Sequence, residues 1–74
     1  MLCPRCDSQG IVYSVRINAT GELVRLCDEC DALWTSDVEV TKATFCDFGT
    51  YMERYGLKGL CTEVTVEGEA EPYA

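Results

Sequence analysis

The chain of 74 residues contains no histidine. That absence removes the commonest general base and rules out a Cys-His nucleophile pair. No glycine-rich phosphate loop is present. No apolar run approaches the length of a membrane span. Met1-Leu2 leads directly into the first cysteine, without the charged and apolar regions of a secretory leader. Basic residues are few and scattered: Arg5, Arg16, Arg25, Lys42, Arg54 and Lys58 form no run, against 13 acidic residues, for a formal charge of −7. Nucleic-acid affinity rests on Lys and Arg neutralising phosphates, so this balance disfavours direct DNA or RNA binding and favours a basic protein partner. These absences point to a cytoplasmic, non-enzymatic protein, with thiols kept reduced.

What the chain does have is cysteine. Cys3-Pro4-Arg5-Cys6 and Cys27-Asp28-Glu29-Cys30 are two C-x-x-C units with 20 residues between them. This ligand set and spacing form a zinc signature, which makes Cys3, Cys6, Cys27 and Cys30 candidate ligands of one Zn²⁺. Six cysteines in all also allow three disulfides in a secreted chain, but the doubled C-x-x-C spacing and the lack of a leader count against that. Four thiolates close the coordination sphere, whereas catalytic zinc keeps one position open for water, so the expected role of the metal is structural. Soft thiolates also accept iron. Cys46 and Cys61 are left over. They read as small half-buried hydrophobes, or as a reversible disulfide or reactive thiol, with Cys46 expected in the first turn of a helix, where the dipole favours the thiolate.

The chain is one small domain, and a core of this size supplies only about 3–5 kcal/mol unaided. Structural zinc contributes about 10–16 kcal/mol in finger peptides, so the site would dominate stability. Residues 11–17 alternate, with Ile11, Tyr13, Val15 and Ile17 on one face, and read as a strand. The turn cluster 18–21 and a returning strand 22–26 make a hairpin that carries the second cysteine pair back to the first. Gly10 is expected to supply a positive φ on leaving the first knuckle, and Trp34 to pack over the hairpin in a third strand. Val38–Thr41 reads as a short strand or an extended link. A capping box at Thr44–Asp47 and the stripe Phe45, Phe48, Met52, Tyr55 predict a helix near 45–55, ended by Gly56. Tyr51, Met52 and Tyr55 are either its packing face or contacts for a partner. Residues 61–66 alternate as a last strand.

The two knuckles, with Gly10 and Trp34, resemble the zinc ribbon family, in which a three-stranded sheet and two knuckles hold one zinc. The resemblance covers residues 3–35 and implies Cys3, Cys6, Cys27 and Cys30 as ligands. It carries no activity, because such ribbons serve many functions. Rubredoxins also use two C-x-x-C knuckles, but separate them more widely and follow each with glycine, where this chain has Asp7 and Asp31.

The sequence thus predicts a small metal-bound α+β fold: a zinc ribbon over residues 1–35 with a three-stranded antiparallel sheet, a helix-containing extension over 36–66 with a further short strand, and an acidic flexible tail over 67–74. Its expected function is a structural zinc protein acting as an adaptor or regulator in protein–protein interaction through an acidic surface. The alternatives are a nucleic-acid-binding ribbon using Arg5, Arg16 and Arg25, and an iron electron carrier.

Overall fold

Strand β1 (Val12–Ile17) and strand β2 (Leu23–Cys27) form an antiparallel hairpin in which Val15 faces Val24 and Val12 faces Cys27. The turn between them closes through Ile17 and Glu22, with Gly21 at φ 76°. Strand β3 (Ala32–Thr35) pairs antiparallel with β2, as the third ribbon strand was expected to do. The computed structural model describes residues 1–7 and 9–70 of the chain.

The sheet does not stop at three strands. Among the described residues it has five, in the order β4-β3-β2-β1-β5, all antiparallel. Strand β4 (Cys46–Asp47) adds to β3, and β5 (Val64–Glu69) adds to the free side of β1. The three-strand expectation omits β4 and leaves the last strand, expected at 61–66, without a place in the sheet, because neither pairs with a chain neighbour through a short turn. Strand β5 also begins later and runs further than the alternation at 61–66 suggested. Cys61–Glu63 is a turn of 3₁₀ helix, and residues 67–69, expected within an acidic tail, continue the sheet. The end of that expected tail, residues 71–74, lies outside the described residues.

Pleating gives each face of the sheet its own cluster. One face gathers Val15, Ile17, Val24 and Leu33 under helix α1 (Phe48–Glu53), which contributes Phe48, Tyr51 and Met52. The other gathers Cys3, Val12, Cys27, Ala32 and Trp34, with Val38, Val40 and Phe45 packed against it. Residues 38–41 are a link, not a strand, and fold over Trp34, whose Nε1 donates to the Thr41 carbonyl at 2.8 Å.

Helix α1 is shorter than the stripe implied. Asp47, not Thr44, caps it: the Asp47 carboxylate accepts from the Thr50 amide at 3.0 Å. Thr44 instead closes a local turn with Thr41, an alternative that Thr side chains offer the backbone. Phe45 therefore leaves the helix and joins the opposite face. Gly56 ends α1 as expected, at φ 72°, with Leu57 N bonded to Met52 O and Gly56 N to Glu53 O, the paired pattern of a Schellman end. The question of whether the helix stripe meets the sheet is answered by burial: Phe48, Tyr51 and Met52 are all buried against it, while Tyr55 is exposed.

Candidate metal centre

The first knuckle is a tight loop closed by Cys3 N donating to Gly10 O at 3.0 Å. The second knuckle is the turn in which β2 ends. The two are stitched together at their base: Asp28 N donates to Ile11 O at 3.1 Å, and the Asp28 carboxylate accepts from Ile11 N at 2.9 Å. The hairpin thus delivers both cysteine pairs to one place. The sulfurs of Cys3, Cys6, Cys27 and Cys30 all lie within 4.8 Å of one another. Cys3 Sγ and Cys30 Sγ are 3.7 Å apart, as are Cys6 Sγ and Cys27 Sγ. A tetrahedron with metal–sulfur bonds of about 2.3 Å has sulfur–sulfur edges of about 3.8 Å. The donor set and its spacing therefore fit one tetrahedral thiolate-bound ion, and these four residues can hold a metal.

Backbone conformation explains how each knuckle turns. Asp7 and Asp31, each following the second cysteine of a pair, adopt φ of 54° and 58°. This is the left-handed region, where Asp is among the few tolerated residues besides glycine. The aspartates thus take the conformation that glycine would supply there, so their presence is no departure in backbone shape. Gly10 does not have the positive φ expected of it. Its role is space. A Cβ at Gly10 would lie 2.5 Å from Cys27 Sγ and 2.8 Å from Glu29 Cβ.

Burial is graded across the site. Cys3 and Cys27 are buried, while Cys6 and Cys30 are half-buried. Trp34, fully buried, lies in the same cluster as the two inner cysteines. Glu29 N approaches Cys27 Sγ at 3.4 Å, the kind of amide contact that spreads thiolate charge. Arg5, which the sequence offers only as a candidate phosphate contact, spans the outer side. Its guanidinium lies 4.3 Å from the centre of the Phe45 ring and donates to Cys30 O at 3.4 Å. Without a cation, burial pushes the Cys27 thiol up to about 12 and raises that of Cys6. For Cys30 burial also acts upward, but the Ala32 amide and Arg5 outweigh it and draw the thiol down to about 7. Sulfurs this close do not ionise together readily; a divalent ion at their centre removes the conflict.

The remaining cysteines stand apart from this cluster. Cys46 is half-buried in β4 opposite Leu33, and Cys61 is exposed in the 3₁₀ turn. Cys46 precedes α1 rather than occupying its first turn, so the helix-dipole argument for its reactivity lapses. The arginines suggested for phosphate contact are already engaged: Arg16 with Glu67 and the Gly21 carbonyl, Arg25 with the carbonyls of Thr35 and Val38. No described helix is long and apolar enough to cross a membrane. Comparison with protein-family models, curated proteins and solved structures finds no match.

Proposed function

We propose that the chain is a zinc ribbon in which Cys3, Cys6, Cys27 and Cys30 hold one structural Zn²⁺, and that it serves as a protein-binding adaptor with an acidic surface. The observation that carries the metal assignment is the four-sulfur cluster with two 3.7 Å edges. Zinc is favoured because it takes tetrahedral thiolate sites without a further ligand. The metal is a folding element in this reading, because a closed sphere leaves no position for water or substrate. Cys3 and Cys6 anchor the N-terminal loop, and Cys27 and Cys30 anchor the β2–β3 turn, so one ion ties the first knuckle to the hairpin.

The protein-partner half of the proposal rests on charge. The chain carries −7, a tetrathiolate zinc adds a further net −2, and Arg5, Arg16 and Arg25 are each engaged within the fold. That supports a basic protein partner over a phosphate backbone. Two measurements test the reading. Elemental analysis of colourless protein should give one zinc per chain; a red ferric tetrathiolate spectrum would replace zinc with iron. A pull-down from the native cytoplasm should capture a partner at low salt and lose it at high salt, since exposed charges are screened over about 8 Å at physiological ionic strength. Recovery of nothing at either salt would remove the adaptor role.

A further inference from the structure

On the α1 face of the sheet, an open groove of about 250 Å³ runs between α1 and β5. Its lining is largely apolar, with Tyr13, Leu26, Phe48 and Val64 among it. Val66, 60 % exposed, forms part of one wall. At the knuckle end its lining includes the exposed Asp28 and Asp31, and among the described residues no basic one lines it. Small-molecule pockets span about 300–1,000 Å³. This groove is smaller and open, which suits one or two side chains of a larger partner better than a whole ligand. A second copy of the chain is a poor occupant, because it would bring another −7 against the same acidic end.

We infer that the groove seats one or two apolar side chains of a protein partner whose flanking residues are Lys or Arg. This rests on the reading of the chain as a protein-binding module, and it names where that module binds and what it recognises. The apolar lining supplies area removed from water. The Asp28 and Asp31 carboxylates supply the sign of the flanking charge, and so its specificity and encounter rate more than its strength.

The test uses the zinc-loaded full chain and a labelled peptide, Lys-Lys-Phe-Leu-Lys-Lys with both ends blocked, followed by fluorescence anisotropy. Binding is expected at low salt and should weaken several-fold at high salt. Peptides with Glu for Lys, or with Ser for Phe and Leu, should bind at least about tenfold more weakly. Asp31→Asn keeps a residue that tolerates the left-handed backbone and should weaken binding roughly two- to five-fold. Val66→Glu places a charge on the groove wall and should weaken it at least about tenfold. Glu53→Gln, an equal change of charge outside the groove, should leave binding unaltered. Cys61, which also lines the groove, should react more slowly with a maleimide when the peptide is bound.

Equal binding of the Phe-Leu and Ser-Ser peptides would overturn the inference, because charge alone would then account for it. A dimer in sedimentation that Val66→Glu dissolves would overturn it in favour of a second copy. The two failures are separable. If Asp31→Asn and Val66→Glu chains capture the salt-sensitive partner as well as the unaltered chain does, the groove is wrong and the adaptor reading stands. If Val66→Glu fails to fold, the peptide series on the unaltered chain decides.

Discussion

At the scale of single residues, the site depends on positions beside the cysteines as much as on the cysteines. Gly10 is required by volume: with a Cβ only 2.5 Å from Cys27 Sγ, Gly10→Ala must displace either the sulfur or the knuckle. Overpacking of this kind costs about 1–3 kcal/mol, and displacement of a ligand sulfur should lower zinc affinity at least about tenfold. Competition with a chromogenic chelator measures this, and an unchanged affinity would show that the knuckle can give way. Asp7 is required by backbone shape. Asp7→Val should destabilise the fold by about 1–2 kcal/mol, the penalty for a β-branched residue in the left-handed region that Asp tolerates, whereas Asp7→Gly should be close to neutral. Equal melting temperatures for the two variants would contradict the strain argument.

At the scale of elements, α1 is held by its buried face and by one hydrogen-bonded cluster. Met52 is fully buried between helix and sheet, so Met52→Ala should cost about 2–5 kcal/mol. Tyr51 donates to the Glu22 carboxylate at 2.8 Å and meets the Tyr55 ring edge-on at 5.6 Å. Burial first, then the Tyr55 and Glu22 partners, raise the Tyr51 hydroxyl above its ordinary range near 10. The sign follows from linkage. Below pH 10 both folded and unfolded chains keep the proton, and the contribution to stability is complete. Above it the unfolded chain loses the proton first, and stability falls as pH rises. Tyr51→Phe should therefore be less stable than the native chain at pH 7, by about 1–2 kcal/mol, and lose less further stability between pH 9 and 11. Denaturant melts across that range check both signs; parallel curves would show that Tyr51 does not carry the alkaline limb.

These elements also mark where sequence is legible. The hairpin, the third strand and the meeting of the four cysteines follow from local alternation and from spacing. The additions at the sheet edges do not. The alternation at 61–66 announces a strand there, but strand β5 pairs with β1 some fifty residues earlier in the chain and its residues are nearly all exposed, so no burial pattern places it in the sheet. Strand β4 is two residues long, too short for periodicity to register. The helix start was misplaced because Thr44 and Asp47 both offer caps. The side chain with free amides in reach won, and Phe45 was then free to cross to the face of the four cysteines, where it stacks on Arg5.

At the scale of the whole molecule, the two faces of the sheet are stabilised differently. The α1 face is an apolar cluster of side chains from sheet and helix. The opposite face is built around Cys3 and Cys27, with Trp34 fully buried beside them. A core of this size supplies only about 3–5 kcal/mol alone, against about 10–16 kcal/mol available from a structural zinc. Removing the metal should therefore unfold the chain or loosen the knuckle face first, and Trp34, the one tryptophan, reports that face directly. Excess chelator should shift its emission to longer wavelength as the indole meets water, and one equivalent of Zn²⁺ should restore it. The double variant Cys46→Ser/Cys61→Ser should behave identically and keep the metal content of the unaltered chain, since both residues lie outside the cluster. A chelated chain with native emission and melting temperature would mean that packing alone holds the fold, and the four cysteines would then need a role other than a staple.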